Sequence, residues 1–380
     1  MIIQCTKKLL DKLAQVKKDL VLTERNDADP DNFYAWHANL VSINRRKAII
    51  FMNNLTRYTI VLYRPKAKDT SKVEESLKEG IKAAFAAEGI KESVIEKYLQ
   101  KSGDCRFSKT ANRSIVANLN EVCRQVSWFE EYLDENKVIQ DNISLKMGRF
   151  FLNYEGEYNY PNEQLFRALC KMIGSRQDEW NDILEVENYQ LKIKLDLEKF
   201  DIWRRILIPA GYTFADLHQV IQIVFGWFGY HLHEFYVKDK SDASVAGSGV
   251  VRIRIVDGCD PGVCDYLEPD KYTVLTDTKT KLKDIFEETK ECFYSYDFGD
   301  GWEHIITLEK VSKEVGFTPV LLERKGKRPP EDVGGEGGFE TYMEIISNEN
   351  DPQYTFMTQW AKETEERECS IEQINLRLKR

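Results

Sequence analysis

The chain has 380 residues, 42% of them hydrophobic and 12% aromatic, with a formal net charge of −9. It is too long for one ordinary core and too apolar for a disordered chain, so two or three domains are expected. Eight cysteines over this length lack the density of a disulfide scaffold. The opening MIIQCTKKLLDKL sets lysines inside its first apolar stretch, unlike a secretory signal. The most apolar stretch, Val220 to Leu232, is too short to span a bilayer. A reducing cytoplasm and no membrane contact are the expectations.

The charge is unevenly placed. Residues 1–128 carry 23 Lys+Arg against 15 Asp+Glu, and the remainder 31 against 48. Such asymmetry fits a nucleic-acid-facing module beside an acidic one, or two surfaces that dock on each other.

In chain order, apolar runs between Phe33 and Tyr63 are broken by turn signals at Asn44-Arg45-Arg46 and Asn53-Asn54, with strand alternation over Tyr58–Tyr63. Val73, Leu77, Ile81, Ala84 and Phe85 then recur at helical spacing, with Ser71 as a candidate cap. Further helices are expected over Ser93–Lys101 and Ile115–Leu133. Residues 1–134 read as a basic α+β domain, and residues 135–186 as a polar helical connector that partly belongs to it. The opening Met-Ile-Ile-x-Cys-Thr-Lys-Lys, Trp36-His37-Ala38-Asn39-Leu40, Asn44-Arg45-Arg46-Lys47 and Asn112-Arg113-Ser114 resemble a small bacterial family of unknown function, which implies no activity.

From residue 187 the pattern is clearer. Leu191, Ile193, Leu195 and Leu197 alternate with polar residues, and a second strand over Ile202–Ile208 ends at Pro209-Ala210-Gly211. Thr213-x-x-Asp216 matches a capping box ahead of a helix with the stripe Phe214, Leu217, Ile221 and Val224. Strands are expected at His233–Tyr236, Val250–Ile255, Glu291–Tyr296 and His304–Val311, with a helix at Thr280–Glu288. Without a regular βαβ beat, the fold class is α+β: two α+β domains joined by the connector. The second, residues 187–380, is an acidic, mostly antiparallel sheet packed with helices and ending in a helical tail.

Seven segments of this half carry a resemblance. Tyr189-Gln190-Leu191-Lys192-Ile193, Ile202-Trp203-Arg204-Arg205, Leu217-His218-Gln219-Val220-Ile221-Gln222 and Gly226-Trp227 come first. His231-Leu232-His233-Glu234-Phe235, Tyr296-Asp297-Phe298-Gly299-Asp300-Gly301-Trp302-Glu303-His304 and Pro329-Pro330-Glu331-Asp332-Val333-Gly334-Gly335 follow. In this order they resemble the plasmid pRiA4b ORF-3-like family. The resemblance implies an association with plasmids and mobile elements, where some members are labelled transposon passenger proteins, and it implies no established activity. Arg328 stands where that family is expected to have a cysteine, so no thiol role is expected there.

Several patterns bear on chemistry. Asp297-Phe298-Gly299 matches the kinase magnesium triplet, but the accompanying kinase motifs are missing, and Asp300-Gly301 reads as a tight hairpin turn. His231 and His233, two apart, face the same way if both lie on a strand. With His304 they are candidate metal ligands, and Asp297, Asp300, Glu303, Glu331 and Asp332 add carboxylates, a set suited to Zn, Mn or Fe. The competing reading leaves these side chains satisfying backbone groups at turns. Cys259-x4-Cys264 offers two more ligands or an ordinary turn at Asp260-Pro261-Gly262. Gly334–Gly338 leads into a helix and reads as helix-start punctuation. In the first domain Arg45, Arg46, Lys47, Arg57 and Arg64 lie among Trp36, Tyr58 and Tyr63, the composition of a nucleic-acid surface or of an ordinary basic turn. The leading reading is a non-catalytic binding or accessory protein, contacting nucleic acid or a protein partner. The alternative is a divalent-metal-dependent hydrolase with its site in the second domain.

Overall fold

The computed structural model describes residues 1–16, 33–110, 112–150, 152–154, 157–176, 179–239, 249–258, 267–268, 270–314, 316, 318–365 and 370–379. Cys259 and Cys264 lie outside the described residues. The fold is α+β, with two compact units, Met1–Val186 and Glu187–Arg380. Among the described residues no helix is long and apolar enough to cross a membrane.

The first unit contains β1 (Ile2–Cys5), α1 (Lys7–Val16), β2 (Ala35–Ile43), β3 (Arg46–Asn53), β4 (Thr59–Tyr63), α2 (Ala67–Ser71), α3 (Val73–Ala87), α4 (Glu92–Ser102), β5 (Arg106–Lys109) and α5 (Arg113–Val126). The sheet order is β4-β3-β2-β1-β5, with β1 parallel to β2 and β5 and the other pairs antiparallel. Asn44 and Arg45 turn the β2–β3 hairpin with positive φ, which two-residue hairpin turns require. Lys72, not Ser71, precedes α3, because Ser71 closes the short α2. Both faces of β4 are buried. Ile60 points at Gly80 of α3, and Val61 and Tyr63 join the cluster under Ile115, Leu119 and Val122 of α5.

Residues 135–186 fall within the first unit. Tyr63 N–H donates to Val138 O (2.7 Å) and Gln140 N–H to Val61 O (3.0 Å), so this segment seals the open edge of β4. It continues as α6 (Asp141–Gly148), β6 (Leu152–Tyr154), β7 (Glu157–Asn159) and α7 (Pro161–Ile173). A bridge between Ile90 and Leu184 returns it to the body of the unit. Besides these backbone bonds the segment buries Ile143, Met147, Leu165, Phe166 and Leu169, apolar residues set within a polar stretch.

That integration changes the charge picture. The first unit as a whole carries 29 Lys+Arg against 27 Asp+Glu, so the basic surplus of its first 128 residues is largely offset within the unit. Arg64 pairs with Glu135 at 2.8 Å, and Arg57 is buried. Trp36 donates to Tyr98 Oη (3.1 Å), Tyr58 donates to Glu88 (2.9 Å), and Tyr63 is in the core. These rings therefore offer no stacking platform. Of the five basic residues, Arg45, Arg46 and Lys47 stand exposed at the hairpin turn.

The second unit contains β8 (Val186–Leu195), β9 (Trp203–Pro209), α8 (Phe214–Phe225), β10 (His233–Lys238), β11 (Val251–Val256), β12 (Thr273–Thr276) and α9 (Leu282–Phe286). It continues with β13 (Glu291–Tyr296), β14 (Trp302–Glu314), β15 (Val320–Lys325), α10 (Gly335–Ile346), α11 (Tyr354–Glu365) and α12 (Ile371–Leu378). The order is β12-β11-β10-β13-β14-β8-β9-β15. β11 and β12 run parallel, whereas β10–β11, β10–β13, β13–β14, β8–β9 and β9–β15 are antiparallel. Leu191, Ile193 and Leu195 point into the core, and α8 covers them with Phe214, Leu217, Ile221 and Val224. Each fully buried side chain of this size contributes about 1.5–3 kcal/mol. The capping box forms as its spacing predicts: Thr213 N–H donates to Asp216 Oδ2 (2.9 Å) and Asp216 N–H to Thr213 Oγ1 (3.2 Å). At the β15 edge the Asn375 amide stands in for a strand, accepting from Leu321 N–H (2.7 Å) and donating to Leu321 O (3.1 Å).

Candidate metal centre in the C-terminal unit

Three segments meet at one end of β10 and β13. The first follows α8, where Gly226 and Gly229 with positive φ turn the chain toward His231 and into β10. The second is the β13–β14 connection. Tyr296 pairs with Trp302, so the turn holds five residues, 297–301, and is not the tight Asp300-Gly301 hairpin expected. Asp297 N–H bonds to Leu232 O (3.0 Å), tying this turn to the first segment. The third is Pro329–Gly334, leading into α10. Gly335 has φ +67, and a Cβ there would lie 2.6 Å from Asp300 O, so only glycine permits this approach.

His231 Nε2 lies 3.2 Å from Asp332 Oδ1 and 3.6 Å from Asp297 Oδ2. One donor atom from each residue lies within 4.8 Å of the others. His231 Nε2 is shielded from solvent yet makes no well-directed hydrogen bond to either carboxylate. Around a tetrahedral ion with bonds near 2.1 Å, neighbouring donors sit about 3.4 Å apart. The two separations from His231 Nε2, 3.2 and 3.6 Å, lie near that spacing, and the two carboxylate oxygens lie within 4.8 Å of each other. Asp297 and Asp332 both adopt left-handed backbone (φ 55 and 57), which Asp tolerates better than most residues and which concentrates at functional sites. Asp297 Oδ1 is engaged with the Gly299 (2.9 Å) and Asp300 (3.3 Å) amides, which leaves Oδ2 for the centre.

A buried knot fixes these segments to one another. Tyr296 Oη donates to Glu331 Oε1 (2.7 Å) and accepts from Gly229 N–H (3.3 Å), and Glu331 Oε1 also accepts from Phe228 N–H (3.4 Å). Each donor residue adjoins it. Asp297 follows Tyr296, Asp332 follows Glu331, and His231 lies two residues beyond Gly229. Burial raises the Glu331 carboxyl above its usual range, opposed by the hydrogen bonds from Tyr296 and Phe228.

The other expected site residues go elsewhere. The strand starts at His233, so His231 precedes it and the two imidazoles part company. His233 Nε2 faces Asp277 Oδ2 at 3.4 Å, and its ring stacks on His218 at 3.6 Å between centroids. Tyr294 Oη lies 2.9 Å from His218 Nδ1 and accepts from Gln222 Nε2 (3.0 Å). Burial, reinforced by His233, pushes the His218 imidazole down to about 2, so it stays neutral. His304 lies outside the group formed by His231, Asp297 and Asp332. Its Nδ1–H donates to Tyr294 O (3.1 Å) and Trp302 O (3.0 Å), and its ring packs on Phe225 and Trp227. Burial lowers it to about 4. Asp300 accepts from Gly334 N–H (3.1 Å), the residue just before α10. Glu303 accepts from Tyr236 Oη (2.6 Å). Arg328, in the place of the expected cysteine, is buried and donates to Pro329 O (2.7 Å).

Sequence reading missed Asp277, Tyr294 and Tyr296 as polar partners. Tyr294 and Tyr296 sit on a strand of alternating aromatics that reads as core, and Asp277 is distant in sequence from His233, which it meets in space.

A domain of unknown function, DUF6933, matches residues 2–164. An uncharacterized protein of Sinorhizobium fredii, y4hQ, is 33% identical over 172 residues, which cover 45% of this chain and 79% of that protein. The crystal structure of a Methanosarcina mazei Go1 protein of unknown function, MM3350, is 34% identical and covers 46% of this chain and 88% of that one, with a TM-score of 0.38. The family described as plasmid pRiA4b ORF-3-like protein matches residues 187–376, half of the sequence, and the chain belongs to that family.

Proposed function

We propose that the C-terminal unit is a divalent-cation-binding module that presents the ion to a ligand from solution. The observation that carries this reading is the convergence of His231 Nε2 with one oxygen each of Asp297 and Asp332. Two carboxylates this close repel each other, and a dication relieves that repulsion. One imidazole with two carboxylates suits Zn, Mn or Fe. Three protein donors leave coordination positions open, and the Asp332 side chain, 62% exposed, puts them on the solvent side. In this reading the protein is an accessory binding module, and the plasmid association in the family's description gives it a mobile-element context. Hydrolysis is the second reading, favoured by the open positions, since closed shells mark structural sites and open ones catalytic sites.

The test uses protein purified without a histidine tag and stripped with chelator. Zn or Mn should raise the unfolding midpoint of the C-terminal unit, with about 2.7 kcal/mol of stabilisation at a hundred times Kd, and calorimetry should give one site. No heat and no shift at millimolar cation would refute the reading. Turnover of a phosphoester by the loaded protein alone would favour hydrolysis over simple binding.

A further inference from the structure

An exposed aromatic side chain lies against one of the three donors, and a second follows another donor in sequence. Tyr230 precedes His231, is 63% exposed, lies flat on Phe228 (5.4 Å between centroids, 9° between planes), and its ring centroid is 4.9 Å from that of His231. Phe298 follows Asp297 in the five-residue turn and is 44% exposed. Large aromatic side chains held in water beside open coordination positions are a platform for a flat ring. Three protein donors to a dication leave open positions that an anionic oxygen can fill. The second unit carries 25 Lys+Arg against 36 Asp+Glu, a surplus of acid that repels a polyanion and favours a small ligand.

We propose that the ligand completing the coordination sphere is a small oxyanion carried on a flat ring, of the class of a nucleoside monophosphate: the phosphate on the cation and the base on Tyr230. This rests on the cation-binding reading above. Calorimetry on the full chain, first with Mn alone and then Mn-loaded with adenosine 5′-monophosphate, adenosine, inorganic phosphate or a single-stranded oligonucleotide, tests it. The monophosphate should bind only in the presence of Mn, and about tenfold or more tighter than adenosine or phosphate. Tyr230→Ala, at an exposed position, should weaken monophosphate binding about tenfold and leave Mn affinity unchanged, since the base loses the ring it stacks on. Phe298→Ala serves as a second variant, with the same direction expected. Mn binding without monophosphate binding overturns this inference and leaves the cation site standing, whereas loss of both overturns both. Binding independent of Mn, indifference to both variants, or preference for the oligonucleotide also overturns it.

Discussion

Replacing Asp297 with asparagine is expected to weaken divalent-cation binding about a hundredfold while the C-terminal unit stays folded. The substitution separates the two duties of this side chain. Oδ1 accepts from the Gly299 and Asp300 amides and shapes the turn, and an asparagine oxygen does the same. Asparagine also tolerates the left-handed backbone that Asp297 adopts. What is lost is the charge and the Oδ2 donor that faces His231 at 3.6 Å. Calorimetry for the cation and chemical denaturation for the fold check the two halves. Unchanged affinity would remove Asp297 from the ligand set, and an equal collapse of stability would make it a turn residue only.

The largest expected loss of stability lies in the first unit. Glu88 is buried, and its Oε1 accepts from Tyr58 (2.9 Å) while its Oε2 meets Arg149 Nη2 at 3.0 Å. Removing one partner of a buried ion pair leaves an uncompensated charge, so Arg149→Met should cost about 3–5 kcal/mol at pH 7. Burial raises the Glu88 carboxyl above its ordinary range, and Arg149 and Tyr58 pull it partly back. A carboxyl raised in the folded state keeps its proton there longer than in the unfolded chain. Its contribution to stability is present below the unfolded pKa and lost as pH rises toward the folded one. Without Arg149 that gap widens. The deficit of the variant should therefore be small near pH 4 and full at pH 7, as read by denaturation at both. A deficit independent of pH would show that Arg149 acts through packing of its stem alone.

The sequence carried the strands and the long helices well where one face is apolar, as in Leu191–Leu195, the Thr213 capping box and the α3 stripe. It carried the site less well, for physical reasons that differ by residue. Alternation places His231 and His233 on one face only if both lie in the strand, and the glycine turns at 226 and 229 deliver His231 just before it starts. That His304 lies outside the group was not legible, because an imidazole that donates to two backbone carbonyls leaves no local trace in sequence. Trp36, Tyr58 and Tyr63 interleaved with arginines have the same composition whether they stack on bases or fill a core, and burial chose the core. The segment 135–186 read as a connector because its buried apolar residues, such as Ile143, Met147 and Phe166, are spread through a polar stretch, and the backbone bonds it makes with β4 leave no mark on residue type. Asp297 and Asp332 were legible as candidates. Their meeting at one imidazole was not, since it depends on a knot of Tyr296, Glu331 and the 228–229 amides drawn from three distant segments.

The cation site is most directly tested by anomalous diffraction from a crystal of the stripped, untagged protein soaked in Mn or Zn. An anomalous peak within about 2.0–2.3 Å of His231 Nε2 and one oxygen each of Asp297 and Asp332 is the predicted result. A soaked crystal with no peak there, or with one only at His233 and Asp277, would contradict it.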